Sequence, residues 1–267
     1  MAGFATPSLA SETIAHIGTF DVRNTLLMAW IAMVFLIVIA LATRLTGYKL
    51  VPGRFQALME TIVEGLFNFF EAIVQDTKQT RRFFPLVATI LIFLVAGNWM
   101  GIFPGVGSIT IAGMHEGHPM DIPLFRSMNA DVNMTLAIAI ISMGAVQIAG
   151  FRDLGIGGYL SKFFVAPWKG KGFEGPVQTF VGFLEIIGEI SRMISFTFRL
   201  FGNVFAGEVL LIVISFLVPY IAPIPFLGLE IFVGLIQGLV FAMLTLVFLK
   251  MAITSHEHEG HVMQPAH

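Results

Sequence analysis

Residues 177–218 read VQTFVGFLEIIGEISRMISFTFRLFGNVFAGEVLLIVISFLV. This run of 42 residues would be about 63 Å long as an α-helix rising 1.5 Å per residue. A bilayer's hydrocarbon core is about 30 Å thick, and helices in it tilt by no more than about 40°. The run is therefore expected to be strongly tilted, or bent and partly in the membrane plane. Holding a helix that way calls for a large protein partner. Its polar residues form one stripe. Glu185, Glu189, Arg192, Arg199 and Asn203 are spaced 4, 3, 7 and 4 apart, which is one face at 100° per residue.

The rest of the chain has the same character. Of 267 residues, 56% are apolar and 12% charged, and the mean hydropathy is +0.85. A soluble globular domain carries about 25% charged residues. This composition excludes a water-soluble enzyme and a disordered chain and indicates a polytopic membrane protein. There is no cysteine, so disulfides, thiolate metal sites and thiol nucleophiles are excluded. The net charge of −2 gives no footprint for nucleic acid. The first 25 residues lack a basic stretch followed by a short apolar run, so no cleavable signal peptide is expected.

Hydropathy predicts five spanning elements: residues 26–42, 83–103, 132–151, 177–218 and 226–254. Residues 51–80 carry Leu58, Ile62, Leu66, Phe69 and Ile73 at helical spacing, which predicts an amphipathic surface helix. The fold class is thus all-α integral membrane, with the last two long helices strongly tilted or partly in-plane. Lys and Arg number six in residues 43–82 and four in 151–175, with Lys250 on the same side, against Arg23 and Arg126 opposite. Cytoplasmic loops are the ones rich in Lys and Arg. The N-terminus is then expected outside and the C-terminus inside. The expected organisation is an external segment 1–25, one membrane domain 26–254 and a cytoplasmic His-rich tail 255–267. The outer segment 104–131 is rich in Gly and Pro and reads as a loop. No internal repeat is visible.

The intramembrane charges carry the functional signal. Glu185, Glu189 and Arg192 can pair at i,i+4 and i,i+3. Arg199 has Ser195, Phe196, Gly202 and Asn203 at these spacings and no acid. Its guanidinium does not deprotonate in proteins, so an intramembrane arginine without a local partner is a functional candidate. The bland alternative is an arginine paired to an acid of another helix as glue. Glu208 is nine residues further on, half a turn away. Glu230 and Gln237 are seven apart and nearly eclipsed. Acids toward both sides and a fixed cation between them suit a device that prevents a direct proton leak. Among Gly182, Gly188, Gly202, Gly207, Gly234 and Gly238, the last two at i,i+4 permit close helix packing. His115, Glu116 and His118 spell HEGH rather than H-E-x-x-H, in a Gly/Pro loop. A zinc hydrolase is therefore a poor reading, and no metal site or cofactor is expected. The tail histidines 256, 258, 261 and 267 read as a polar tail.

Ser195 to Glu208, containing R-L-F-G-N-x-x-A-G-E, resembles subunit a of the F-type ATP synthase. Ala130-Asp131-Val-Asn133-Met-Thr135-Leu, Gly97-Asn98-Trp-Met-Gly-Ile-Phe-Pro104 and residues 237–250 resemble further blocks of that family, so the likeness covers about 26–254. It implies a non-catalytic stator subunit with two offset half-channels beside a rotating ring of subunit c. It also implies peripheral-stalk subunit b and the other ATP synthase subunits as partners, in a bilayer that is expected to be a bacterial inner membrane. Arg199 would force the ring carboxylate to release its proton and would block leakage. Glu208, Asn203, Glu230 and Gln237 would line the outer half-channel and Glu185 the inner one, with Glu189, Asn98 and Asp131 also among the half-channel residues. The family commonly holds one Glu and one His where this chain has Glu208 and Glu230. Two nearby carboxyls can share a proton, which leaves open which one relays it. No nucleotide-binding G-x-x-x-x-G-K-[ST] loop is present. A stand-alone proton transporter is the alternative, distinguished by whether a ring partner is required.

Overall fold

The computed structural model describes residues 11–18, 20–45, 52–103, 105–107, 109–115, 118–163 and 174–253. The His-rich tail and Glu116 of the HEGH motif lie outside these residues. An antiparallel hairpin comes first, β1 (Thr13–Ile17) with β2 (Phe20–Arg23). Gly18 reverses the chain at φ 67°, a conformation that favours glycine. The α-helices are α1 (Asn24–Leu45), α2 (Arg54–Val74), α3 (Thr77–Gly101), α4 (Val132–Phe163), α5 (Glu174–Leu217) and α6 (Pro223–Ile253). Among the described residues five helices are long and apolar enough to cross a membrane, the number hydropathy predicts.

The outside of the bundle is apolar, as lipid requires. Val34, Phe35, Ile37 and Val38 of α1 are each more than half exposed, while Met28, Ala29 and Ala32 face inward. The core has two main layers. Phe70 and Val74 of α2 pack with Phe83, Val87 and Leu91 of α3 and with Leu246 and Leu249 of α6. Nearer the middle, Ile90 and Leu94 meet Ile138 and Met143 of α4, Phe196 and Leu200 of α5, and Phe241 of α6. The apolar stretch Thr179–Leu217 of α5 is 39 residues long, about 58 Å by helical rise. It cannot stand upright in a core of about 30 Å.

Three boundaries differ from the sequence reading. The helix expected over 51–80 ends at Val74. Gln75 turns left-handed at φ 58°, and the Asp76 carboxylate then caps α3, accepting from the amides of Lys78 and Gln79. An Asp N-cap satisfies donors that a helix start leaves unpaired, so residues 77–80 belong to α3. The face of α2 turned inward is that of Phe70 and Val74, whereas Leu58 and Ile62 are exposed. The third span closes at Gly155, two residues beyond Arg152-Asp153. Arg82 neutralises Asp153 at 2.6 Å, and helical structure continues to Phe163 across a kink at Gly155, φ 72°. Tyr159 there folds back onto Gly150, where a Cβ would lie 2.2 Å from its ring. The outer loop holds a second antiparallel hairpin, β3 (Thr110–His115) with β4 (His118–Pro123), and a 3-10 turn at Met128–Ala130. Its Gly and Pro content hid the strands.

Helices α3 and α6 approach each other closely over glycine. A Cβ on Gly238 would come 2.8 Å from Cγ2 of Val95, a β-branched side chain with little rotamer freedom. Gly238→Ala should force the two helices apart and lower stability by about 1–3 kcal/mol, read as a lower melting temperature of the detergent-solubilised protein.

Candidate functional site

The polar stripe of α5 faces different surroundings along its length. At the end expected inside, Arg192 donates to Glu189 at 2.6 Å, and its guanidinium lies 4.8 Å from the centre of the Phe248 ring on α6. Glu189 also accepts from Gln147 Nε2 at 3.2 Å, and Gln147 Oε1 accepts from the Tyr159 hydroxyl at 2.5 Å. Burial, reinforced by the negative charges of Glu189 and Glu185 and opposed by Arg192, pushes the Tyr159 phenol up from 10.0 to about 12. Tyr159 therefore remains a donor at any physiological pH. Glu185 is half-buried near this network.

Arg199 sits midway along α5 and is exposed. Its hydrogen bond is a long one, Nη2 to Ser195 Oγ at 3.5 Å. Among the described residues no carboxylate oxygen comes within 4.0 Å of its guanidinium. The faces beside it are apolar: Ile194 and Phe198 are 48% and 59% exposed. The glue reading required an acid on another helix, and the described residues provide none.

On the other side of Arg199 the structure brings four expected residues together. Asn203 Nδ2 donates to Gln237 Oε1 at 2.6 Å. Asn98, buried on α3, donates to the Gly234 carbonyl at 2.9 Å. Gly234 makes this possible, since a Cβ there would lie 3.0 Å from the Asn98 Cβ. Glu230 reaches across to α5 and rests on the backbone at Gly207, where a Cβ would meet its Oε1 at 2.8 Å. Asn98, Asn203, Glu230 and Gln237 line one cavity with about 20 Å³ open to the centre of a water molecule. That is room for about one water. Glu230 Oε2 and Gln237 Nε2, an acceptor and a donor, are both buried without a hydrogen-bond partner.

Glu208, the other outer carboxylate, faces a residue that sequence reasoning counted only as an outer-loop charge. Arg126 Nε donates to Glu208 Oε1 and Oε2 at 3.0 and 3.2 Å. Asn129 was also missed; its Nδ2 donates to Asn98 Oδ1 at 2.6 Å. The available signal was scarcity. Arg126 is one of two cations on a side otherwise without them, and it lies five residues before the cap of α4.

Asp131 is that cap. Its Oδ1 accepts from the Asn133 amide at 2.8 Å, and its Oδ2 from Ser11 and Thr25 at 2.5 and 3.0 Å, with Arg23 4.0 Å away. It fastens the first hairpin and α1 to the start of α4. Burial pushes its carboxyl up, but donation from Ser11, Asn133 and Thr25, with the charge of Arg23, outweighs this and holds it below 3.8.

This is the fold and site of a polytopic membrane protein built around a bare cation and a buried polar cavity. Residues 26–250 match the family described as ATP synthase A chain. The chain is 30% identical over 245 residues to ATP synthase subunit a of Moorella thermoacetica, covering 91% of this chain and 96% of the relative. It is 31% identical over 254 residues to the subunit a of Campylobacter fetus, covering 94% and 98%. A relative in Pelobacter propionicus, ATP synthase subunit a 3, is 34% identical over 227 residues, 83% of each chain. The chain belongs to the ATP synthase subunit a family. It is an integral membrane protein of proton transport and ATP synthesis.

Because Asp131 has a lowered carboxyl in the fold, its stabilisation is complete above the ordinary value of 3.8 and is lost as pH falls through the folded value. Asp131→Asn should cost about 1–3 kcal/mol near neutral pH. The gap in melting temperature between wild type and variant should close as the pH is lowered past 3.8.

Proposed function

We propose that this chain is the stator subunit that conducts protons to and from a rotating ring of subunit c in an F-type ATP synthase. The single observation that carries the reading is Arg199, a permanent cation exposed on an apolar face with no acid beside it among the described residues. Such a charge in lipid needs a counter-charge, and a carboxylate presented by another subunit supplies one. Attraction by Arg199 favours the ionised form of that carboxylate, so a ring carboxyl arriving protonated gives up its proton there. The same cation repels a proton moving directly from one side of the membrane to the other. A free-standing carrier would need its own acid near Arg199, which makes that alternative the weaker reading.

Glu208, Glu230, Asn203, Gln237 and Asn98 form the outer half-channel in this reading, and Glu185 and Glu189 the inner one. Their placement on opposite sides of Arg199 supports an offset path. Asp131 takes the fastening role its contacts describe. Catalysis and nucleotide binding belong to other subunits, and a peripheral-stalk subunit b holds this one still. The Lys and Arg distribution supports an N-terminus outside and a C-terminus inside, and the bacterial sources of the relatives support a bacterial inner membrane, with residues 26–254 as the membrane domain.

ATP-driven acidification of inverted membrane vesicles tests this, with assembly of the complex measured in parallel. Arg199→Ala should abolish acidification in an assembled complex. Arg199→Lys should lose more than about tenfold, because a hydrated ammonium does not replace a planar guanidinium. Near-normal pumping by either variant would sink the role given to Arg199.

A further inference from the structure

The two outer carboxylates are held in unlike ways. Glu208 is gripped through both oxygens by Arg126, whose side chain is 5% exposed. A guanidinium keeps its proton, and its positive charge held against both Glu208 oxygens favours the ionised carboxylate. Glu230 has no cation within 4.0 Å among the described residues. Its Oε2 is buried without a hydrogen-bond partner. It lines the cavity shared with Asn98, Asn203 and Gln237, and Gln237 Nε2 is a second unmatched polar atom on that wall. A group that gains and loses a proton needs one state that is not locked by a neighbour. Glu230 meets this condition and Glu208 does not.

We infer that Arg126 is a positioning residue that holds Glu208 as a fixed carboxylate, and that Glu230 alone of the pair carries the proton. This rests on the proton-conducting role proposed above. The proton from the outer side adds to the Glu230 carboxylate, giving the neutral acid. It then leaves toward the ring carboxylate through the cavity between Asn203 and Gln237, restoring the anion. Glu208 and Arg126 remain an ion pair of no net charge throughout.

The test uses ATP-driven acidification of inverted vesicles holding the whole complex, scaled to the amount assembled. Glu230→Gln should lose more than about tenfold and Glu208→Gln about threefold. Arg126→Leu should lose more than about tenfold, because Glu208 can then take up the proton. In Arg126→Leu/Glu208→Gln pumping should return to the level of Glu208→Gln alone. A brace that merely holds the loop would leave the double variant as poor as Arg126→Leu. Arg126→Lys keeps the cation and should keep most of the pumping. If Arg126→Leu does not assemble, the comparison of the two Gln variants decides. Equal losses in Glu208→Gln and Glu230→Gln, or a double variant no better than Arg126→Leu, would overturn the inference. Normal pumping in Glu230→Gln with loss in Arg199→Ala would overturn it while leaving the wider role intact. Normal pumping in Arg199→Ala would remove that wider role itself.

Discussion

A guanidinium that cannot lose its proton stands on the outward face of α5, and the charges around it are arranged to leave it alone. Three acids among the described residues are engaged elsewhere. Glu189 is taken by Arg192 and Gln147, and Glu208 by Arg126. Asp131 is taken by Ser11, Thr25 and an amide. Internal pairing of this kind costs desolvation and returns little net stability. Its effect here is selective, because it occupies those three acids and leaves Arg199 without one beside it among the described residues.

Backbone proximity makes the rest possible. Glycines on α5 and α6 are the positions over which longer polar side chains cross from helix to helix. Asn98 reaches the α6 backbone over Gly234, and Glu230 reaches the α5 backbone over Gly207. In lipid there is no water to satisfy a polar atom, so such crossings must end on a carbonyl, an amide or a cavity of the right size. The polar cavity is thus a product of small residues as much as of polar ones.

Most of this architecture was legible in the sequence because it depends on local properties. Hydropathy and length located the five spans and the overlong helix. Helical spacing put Arg199 and Asn203 on one stripe and showed that Arg199 lacked a local acid. What remained hidden depends on contacts between distant segments or on single-residue geometry. The Asp76 cap cuts a helix that periodicity would have continued. Arg82 pairs with Asp153, 71 positions away. Arg126 and Glu208 lie 82 residues apart, and no periodicity links a loop residue to a helix face. Tyr159 and Gln147 join the inner network only because the chain folds back at Gly155.

The unbroken length of α5 has a mechanical side. Polar ties hold the helix at Glu189, where Gln147 and the Arg192–Phe248 contact fix it, and at Glu208, where Arg126 does. These anchors are 19 residues apart, about 28 Å along the axis. Between them the helix rests on Phe196 and Leu200 and is tied once more by Asn203 to Gln237. Arg199 is exposed within this braced stretch, so its charge is carried on a rod held from end to end rather than on a loop that could yield.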